Sequence, residues 1–245
     1  MTKRSPHRRS QSADMQSGGA GTAESTSIGP AQGEGASTLR RDAARNRDKI
    51  LAAARAAFDE EGVDVGVEVI AQRAGVGVGT LYRRFPTKDL LIEAVVDEVL
   101  LAVLSAAQEA LRNATPADGL TEYLTAVGWL QFEHAGCQTR LWNNTHSDIR
   151  DRIEEASRKL LSRAQSAGAA RPELVTEDLV VLFWSLRGVI EATSTVSPEA
   201  WLRHLELLLS SLVPSDRPLL HPPLTADQVR QAKVVTTLSD ASGST

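Results

Sequence analysis

The run AGVGVGTLYRRFPTK, at residues 74–88, constrains the fold more than any other part of the sequence. Apolar residues on one side of residues 67–74 predict a short helix. Gly75 ends this helix, because glycine adopts the left-handed conformation of a helix C-cap at little cost. A second short helix is predicted at residues 78–85, and Pro86 prevents its continuation. The run therefore predicts a compact corner made of two short helices.

The second short helix has one inward and one outward side. Leu81 and Phe85 are one turn apart and are expected to face inward. The residues expected to face outward are Val78, Gly79, Thr80, Tyr82, Arg83 and Arg84. Two short helices joined by a glycine turn are typical of a helix-turn-helix, whose second helix lies in the major groove of DNA. The alternative is an exposed basic corner on another kind of helical protein.

The outward residues have the chemistry that DNA binding requires. Arg83 and Arg84 can bond phosphate or the acceptor edge of guanine. Thr80 and Tyr82 carry hydroxyls for phosphate oxygens, and Gly79 allows a close approach of the backbone. The alternating glycines also resemble a phosphate-binding loop, but such a loop follows an apolar strand, and here the preceding segment is helical. We therefore reject a nucleotide-binding loop.

The composition indicates a globular protein. The chain has 245 residues and is 42% hydrophobic, which is enough for a substantial core. Its single cysteine, Cys137, excludes an internal disulfide, and the N-terminus has no apolar stretch typical of a secretory signal. The most apolar segment, residues 179–190, is too short to span a membrane. We expect a cytoplasmic location and no membrane partner.

The net charge of −4 is unevenly distributed. Residues 1–40 carry five basic and three acidic side chains, residues 41–90 nine and eight, and residues 91–245 thirteen and twenty. The resulting charges of +2, +1 and −7 place the acidic excess away from the two-helix corner. The overall charge is therefore compatible with DNA binding.

Residues 1–39 contain almost no large apolar side chains, which predicts a disordered tail. The basic residues of this tail either lie along DNA or have no role. An apolar stripe then predicts an amphipathic helix at residues 41–61, ended by Gly62. A basic cluster at the start of this helix, which includes Arg47, could reach a phosphate. Residues 40–86 are thus predicted to form a three-helix DNA-binding domain.

Residues 87–213 are predicted to form a second, larger helical domain. A long helix is expected at residues 88–113, with Thr87 as its cap, and no linker separates the two domains that share it. The remaining helices are expected at residues 117–133, 138–143, 148–166, 176–193 and 198–212. Residues 214–245 should be mostly irregular, with one short helix capped by Thr225. The fold class is therefore predicted to be all-α.

The pattern IA..AGV..GTLY..F..K occurs in register within residues 45–91. The residues that meet it are Ile70, Ala71, Ala74, Gly75, Val76, Gly79, Thr80, Leu81, Tyr82, Phe85 and Lys88. In this pattern and in the order of its helices, the chain resembles the TetR family of transcriptional regulators. The resemblance implies a homodimeric repressor whose helical C-terminal domain binds a small ligand.

The resemblance also implies specific DNA contacts. The implied phosphate contacts are Thr80, Tyr82 and Lys88. The implied neighbours of base edges are Val78, Gly79 and Arg83. Two positions depart from the family pattern, because Gly77 stands where a serine-like N-cap is common and Gly66 stands where a threonine often touches phosphate. Glycine can cap a helix without a side-chain bond, so the fold is retained while that phosphate contact is lost.

The larger domain contains candidates for a ligand pocket and a dimer interface. Seven of the ten aromatic residues lie at residues 123–201, where they form either a plain core or the lining of a cavity. The candidate pocket residues are Trp129, Phe132, Trp142, Phe183 and Arg187. Arg187 would either anchor an acidic ligand or pair with Glu191 one turn on. The last two long helices are predicted to form the dimer interface through Leu182, Leu186, Ile190, Trp201, Leu205 and Leu208.

No metal, cofactor or catalytic activity is expected. His134, Cys137 and His146 lack the spacing of a metal site, and no nucleophile has a supporting motif. We predict a DNA-binding transcriptional regulator, a homodimeric repressor that a small-molecule ligand releases from operator DNA. The alternative is a dimeric DNA-binding protein that senses no small molecule and is regulated by a protein partner or not at all.

Overall fold

The computed structural model describes residues 33–135 and 148–232, and for residues 33–43 it describes the backbone only. The helices are α1 (Gly33–Glu61), α2 (Val67–Ala74), α3 (Val78–Arg84), α4 (Lys88–Arg112), α5 (Pro116–Glu133), α6 (Asp148–Ser166), α7 (Thr176–Thr193) and α8 (Ala200–Ser211). A further short helix covers residues 226–232. All regular secondary structure in these ranges is helical, which confirms the predicted all-α fold class.

The predicted helix bounds agree with the observed ones to within two residues for α2 to α8. Helix α1 is the exception, because it begins at Gly33 and not at residue 41. The chain divides by its contacts into residues 1–40 and 41–245, and of the first unit the structure describes only the start of α1. The predicted helix at residues 138–143 and the first 32 residues of the predicted tail lie outside the described part of the chain.

Helices α1, α2 and α3 pack around a core of fully buried apolar side chains. These include Ile50, Leu51, Ala54, Phe58, Ile70 and Leu81. At the surface of this unit, Arg73 of α2 donates to Glu60 at 2.7 Å and to Glu61 at 2.5 Å, both in the last turn of α1. The core and these two ion pairs together fix α2 against the end of α1.

Helix α4 contributes to two hydrophobic clusters. Its N-terminal half, including Leu91 and Val95, packs into the same cluster as α1 to α3. Further along the helix, Ala107 and Ala110 pack with residues of α5, α6 and α7. One continuous helix therefore connects the core of α1, α2 and α3 with the core of the larger helical bundle.

Helix α5 approaches α7 and α8 most closely at Gly128. A Cβ atom at this position would lie 2.9 Å from Cζ3 of Trp201 and 3.2 Å from Cδ2 of Leu186. Trp201 is fully buried and packs edge-on against Trp129, with ring centroids 4.9 Å apart. It also stacks on Phe132, with centroids 5.7 Å apart. The absent side chain of Gly128 thus makes room for the aromatic cluster that joins α5 to α8.

The residues predicted to form the dimer interface lie mainly inside this bundle. Those buried within the single chain are Leu182, Leu186, Ile190, Trp201 and Leu205, and Leu208 is half-buried against the same bundle. These side chains therefore pack largely within their own chain, and their contact with a partner stays a prediction. Helices α7 and α8 carry apolar residues on more than one face. The residues named here lie on the face that packs inside the bundle.

After α8 the chain turns back along the bundle. The Arg171 guanidinium, which is buried, donates to Glu173 at 2.8 Å and also to the Arg217 carbonyl. The backbone N–H of Arg171 donates to the Leu212 carbonyl at 2.9 Å. These bonds hold the chain beyond α8 against the loop between α6 and α7, and direct it toward the short helix at residues 226–232.

Candidate nucleic-acid interface and regulatory cavity

The turn between α2 and α3 is a Schellman motif. Gly75 has a φ angle of 66°, in the left-handed region. Its N–H donates to the Gln72 carbonyl at 3.1 Å, and the Val76 N–H donates to the Ala71 carbonyl at 3.0 Å. The carbonyls at the end of α2 are thereby satisfied without side chains, and the chain is directed into α3. This is the helix-turn-helix geometry that the sequence predicted.

Helix α3 has a polar, solvent-exposed surface. Leu81 and Phe85 are buried beneath it, whereas Arg83 and Arg84 are exposed and the side chain of Tyr82 is 43% exposed. A Cβ atom added at Gly77 or Gly79 would meet nothing within 4 Å, so the backbone itself is open to approach there. The exposed surface of α3 can therefore be approached closely by a large ligand such as a DNA duplex.

Two basic residues from other helices flank α3. The Cζ atom of Arg47 lies 5.9 Å from the centroid of the Phe85 ring, a cation–π distance that places the guanidinium beside the end of α3. Lys88 is half-buried at the first position of α4, whose N-cap Thr87 accepts from the Leu90 N–H at 3.2 Å. Arg47, the arginines of α3 and Lys88 thus form a basic surface around α3.

Two expectations for this surface change with the structure. Val78 packs partly against the core of α1, α2 and α3, so it does not face outward as predicted, and Thr80 is half-buried. Gly66 and Gly77 adopt extended N-cap conformations without a side-chain bond, in line with the predicted loss of side-chain caps. The residues of α3 that remain most available to DNA are Tyr82, Arg83 and Arg84.

The larger domain contains a partly open cavity of about 250 Å³ between α4, α5, α6 and α7. Its wall is mainly apolar and includes Val99, Leu100, Val103, Val127, Leu179 and Phe183. Arg230, from the short helix at residues 226–232, also lines it. A largely apolar cavity with a few polar groups is typical of a small-molecule site.

The buried polar groups of this cavity come from α5 and α6. Gln131 is buried, and the Tyr123 hydroxyl lies 2.8 Å from Oγ of Ser157, both buried. Burial raises the pKa of Tyr123 to about 12, although its hydrogen bond to Ser157 acts in the opposite direction. Arg150 also lines the cavity, and burial lowers the pKa of its guanidinium. These groups could orient a ligand within the apolar wall.

The structure places the predicted pocket residues in different surroundings. Phe183 lines the cavity, but Trp129 and Phe132 pack around Trp201 and do not. Arg187 bonds to Glu191 at 2.6 Å, as its alternative explanation required, and is absent from the cavity wall. Trp142 lies outside the described residues.

Gln131, Arg150 and Arg230 line the cavity but were not among the residues predicted from the sequence. A signal existed for Gln131, because it follows Tyr123 and Val127 at four-residue spacing and so occupies an inward position with a polar side chain. Arg150 and Arg230 carry no such signal, since each lies in a polar stretch of its own helix. Only the packing of distant segments brings them to the cavity.

The described residues contain no group of three or more His, Cys, Asp or Glu side chains that could hold a metal ion. Among the candidates named above, Cys137 and His146 fall outside those residues, and His134 pairs with Asp59 at 3.2 Å. No helix in the described ranges is both long and apolar enough to cross a membrane.

A helix-turn-helix with an exposed second helix, joined through a shared helix to a bundle that contains a cavity, defines a DNA-binding regulator. A family model described as "Bacterial regulatory proteins, tetR family" matches residues 50–95. A TetR transcriptional regulator from Streptomyces coelicolor is 31% identical, with a TM-score of 0.52 over 69% of this chain and 99% of that one. The chain belongs to the TetR family of transcriptional regulators, which confirms the resemblance found in the sequence.

Two further relatives agree with this assignment. A TetR transcription regulatory protein from Mycobacterium vanbaalenii is 26% identical, with a TM-score of 0.52 over 72% of this chain and 99% of that one. An HTH-type transcriptional regulator from Staphylococcus aureus (strain USA300) is 43% identical over 63 residues, which are 25% of this chain. The match spans only 34% of the length of that curated relative.

The buried Tyr123–Ser157 pair leads to a prediction about stability. Replacing Tyr123 with phenylalanine should lower the free energy of unfolding by about 1–3 kcal/mol, because Ser157 then loses its buried partner. The double variant Tyr123→Phe/Ser157→Ala should recover part of this loss. Denaturant titrations of the three proteins at equal concentration measure the difference. If Tyr123→Phe and the double variant are equally destabilised, the hydrogen bond between Tyr123 and Ser157 makes no specific contribution to stability.

The same tyrosine should make stability depend on alkaline pH. The pKa of Tyr123 is raised to about 12 in the folded chain, against about 10 in an unfolded one. The contribution of Tyr123 to the free energy of unfolding is therefore fully present below pH 10 and is lost as the pH rises toward 12. The wild-type protein should lose more stability than Tyr123→Phe over that interval.

Proposed function

We propose that the protein is a homodimeric repressor that binds operator DNA through α3 and leaves it when a small molecule occupies the cavity. The observation that carries this proposal is α4, which packs into the DNA-binding core at one end and lines the cavity through Val99, Leu100 and Val103. A ligand that displaces α4 would thus displace the DNA-binding unit as well.

The proposed dimer uses the outer faces of α7 and α8. On α7, four positions at helical spacing carry apolar or small residues and are exposed in the single chain. We define the outer stripe as Val181, Ser185, Gly188 and Ala192 on α7 with Leu207 on α8, all exposed in the single chain. The side chain of His204 on α8 lies 3.3 Å from Oγ of Ser185, which places α8 beside α7 at this stripe. Exposed apolar patches of this kind mark interaction sites.

The DNA contacts are proposed to divide between positioning and sequence reading. Tyr82, Thr80, Lys88 and Arg47 would bind phosphate oxygens, and Arg83 would reach a base edge in the major groove. A second copy related by a twofold axis would present the same residues to a second half-site about 34–36 Å away.

Replacing Arg83 with alanine should weaken operator binding by about 1–3 kcal/mol and relax the preference at one base pair of each half-site. Tyr82→Phe is the matched control, since loss of a phosphate contact should weaken binding to all sequences by similar factors. Fluorescence anisotropy with a set of single-base operator variants distinguishes the loss of a base contact from the loss of a phosphate contact. Uniform weakening by Arg83→Ala, with a shallower salt dependence, would reassign Arg83 to phosphate.

Ligand-induced release requires that operator DNA and ligand weaken each other's binding by the same factor. The coupling should correspond to about 1–3 kcal/mol. Calorimetric titration of an inducing ligand into the free dimer and into the operator complex should therefore give a lower Kd for the free dimer. Equal Kd values would reject ligand release and favour a dimer that binds DNA without sensing a small molecule.

A further inference from the structure

We propose that the short helix at residues 226–232 is a lid on the regulatory cavity and limits how fast a small molecule enters and leaves it. We call this segment the lid helix. The inference rests on the proposed function, because it assigns a means of access to the same ligand site. It is based on the position of the lid helix, the burial of its residues and the bonds that hold the chain before it.

The lid helix lies at the opening of the cavity. All other lining residues belong to α4, α5, α6 and α7, and Arg230 is the one that the C-terminal segment adds to them. The side chain of Arg230 is exposed and bonds to Asp227 within the lid helix. A residue that lines a partly open cavity and is also exposed to solvent lies at the rim. The lid helix therefore covers part of the path between the cavity and solvent.

Two anchors hold the C-terminal segment against the bundle. At its start, the N–H of Arg171 donates to the Leu212 carbonyl at 2.9 Å, and the buried guanidinium of Arg171 donates to the Arg217 carbonyl. Near its end, the side chain of Val229 is 6% exposed. Among residues 213–232, all of which the structure describes, Val229 is the only buried residue. One apolar side chain thus anchors the lid helix.

A segment with so little buried apolar surface can open locally at a low free-energy cost. The bonds to Arg171 precede the lid helix, so the lid helix can leave the opening while the start of the segment stays attached. Its own cap, in which Thr225 and Gln228 exchange bonds of 3.2 and 2.8 Å, lets it move as a unit. Release of Val229 is therefore the step that opens the cavity.

The test is stopped-flow fluorescence of the full-length protein with 1-aminonaphthalene, a neutral fluorescent aromatic that a cavity of about 250 Å³ can hold. In the wild-type protein, the observed binding rate should level off at high probe concentration, because opening of the lid helix limits entry. Val229→Ser should raise both the association and the dissociation rate constants by about tenfold, because the apolar anchor is lost. The Kd should change by less than about threefold, since the lid helix covers the free and the occupied cavity alike.

Two further variants make this result specific to the lid helix. Leu220→Ser makes a similar change in the same C-terminal segment at a side chain that is 85% exposed, so the wild-type rates should be retained. Val103→Trp places a large side chain in the cavity wall and should remove probe binding. Circular dichroism of each variant shows whether the fold is retained.

Several outcomes would overturn the inference. These are unchanged rates in a folded Val229→Ser protein, equal acceleration by Leu220→Ser, and a change in the dissociation rate alone, which would make the lid helix a plain part of the wall. Absence of probe binding to the wild-type protein, or binding that survives Val103→Trp, would overturn it as well, because the cavity would then not admit a molecule of this size.

Operator binding at saturating probe separates this inference from the proposed function. Rates that depend on Val229, together with an unchanged operator affinity, would support the lid and count against ligand release. Rates that do not depend on Val229, together with a weakened operator affinity, would overturn the lid and support ligand release.

Discussion

Replacing Trp201 with alanine should lower the free energy of unfolding by about 3–5 kcal/mol, the largest stability loss that we expect from a single truncation in this chain. Trp201 is fully buried and contacts the rings of Trp129 and Phe132. Its Cζ3 atom also fills the space left by Gly128. Alanine would leave a cavity at the point where α5 meets α8, and helices this closely packed cannot readily collapse into it.

Two variants show whether the loss arises from this cavity. Trp201→Phe should retain most of the stability, because it keeps a ring in the cluster and removes an indole N–H that is buried without a hydrogen-bond partner among the described residues. Trp129→Ala should cost less than Trp201→Ala, since that side chain is 42% exposed. Far-UV circular dichroism in denaturant, at one protein concentration, provides the comparison. A loss below about 1 kcal/mol for Trp201→Ala would mean that the aromatic cluster does not stabilise the bundle.

The helices could be predicted because their boundaries depend on local chemistry. Gly75 ends α2 through bonds to the preceding turn, and the hydroxyl of Thr87 caps α4. Thr225 and Gln228 form a reciprocal cap on the last short helix, with bonds of 3.2 and 2.8 Å. Each of these helix caps involves residues within five positions of one another, so the sequence alone is enough to predict these helix boundaries.

The start of α1 could not be predicted in the same way. The apolar stripe of this helix indicates where it becomes buried, whereas the helix itself begins earlier, at Gly33. Once a helix is nucleated, each added residue gains a hydrogen bond without needing a buried face. Periodicity of apolar residues therefore marks the buried part of α1 and not its first turn.

The cavity and the dimer face were harder to predict because both depend on which helices pack together. Trp129, Phe132 and Phe183 are all aromatic and all lie on amphipathic helices, yet only Phe183 lines the cavity. Leu186 and Gly188 are two residues apart on α7, and one is fully buried while the other is exposed. The spacing of apolar residues indicates that several faces of these helices pack against other elements. It does not indicate which element packs against which face.

Replacing Gly188 with glutamate should dissociate the dimer without unfolding the chain. A Cβ atom at Gly188 meets nothing within 4 Å in the single chain, so the fold can accept a side chain there. In the proposed dimer the same position lies in the outer stripe, against the partner. An uncompensated charge buried at such a site costs about 3–5 kcal/mol, which corresponds to an increase of about 10² to 10⁴ in the dimer Kd.

Two control variants make this prediction specific to the outer stripe. Leu101→Glu places the same charge at an apolar residue of α4 that is 48% exposed and lies outside the stripe, so it should leave the dimer intact. Leu186→Glu places the charge in the fully buried core of the same helix, so it should unfold the chain and not merely separate two folded copies. Light scattering together with circular dichroism distinguishes these three results.

Loss of the dimer should also abolish tight operator binding by Gly188→Glu, although every DNA-contacting residue of α3 is retained. Each copy alone would meet one half-site, and the affinity gained by linking two half-sites would be lost. A Gly188→Glu protein that remains dimeric in light scattering would show that the partner does not cover this stripe. A monomeric variant that still binds the operator with wild-type affinity would instead show that pairing through α7 and α8 is not needed for DNA recognition.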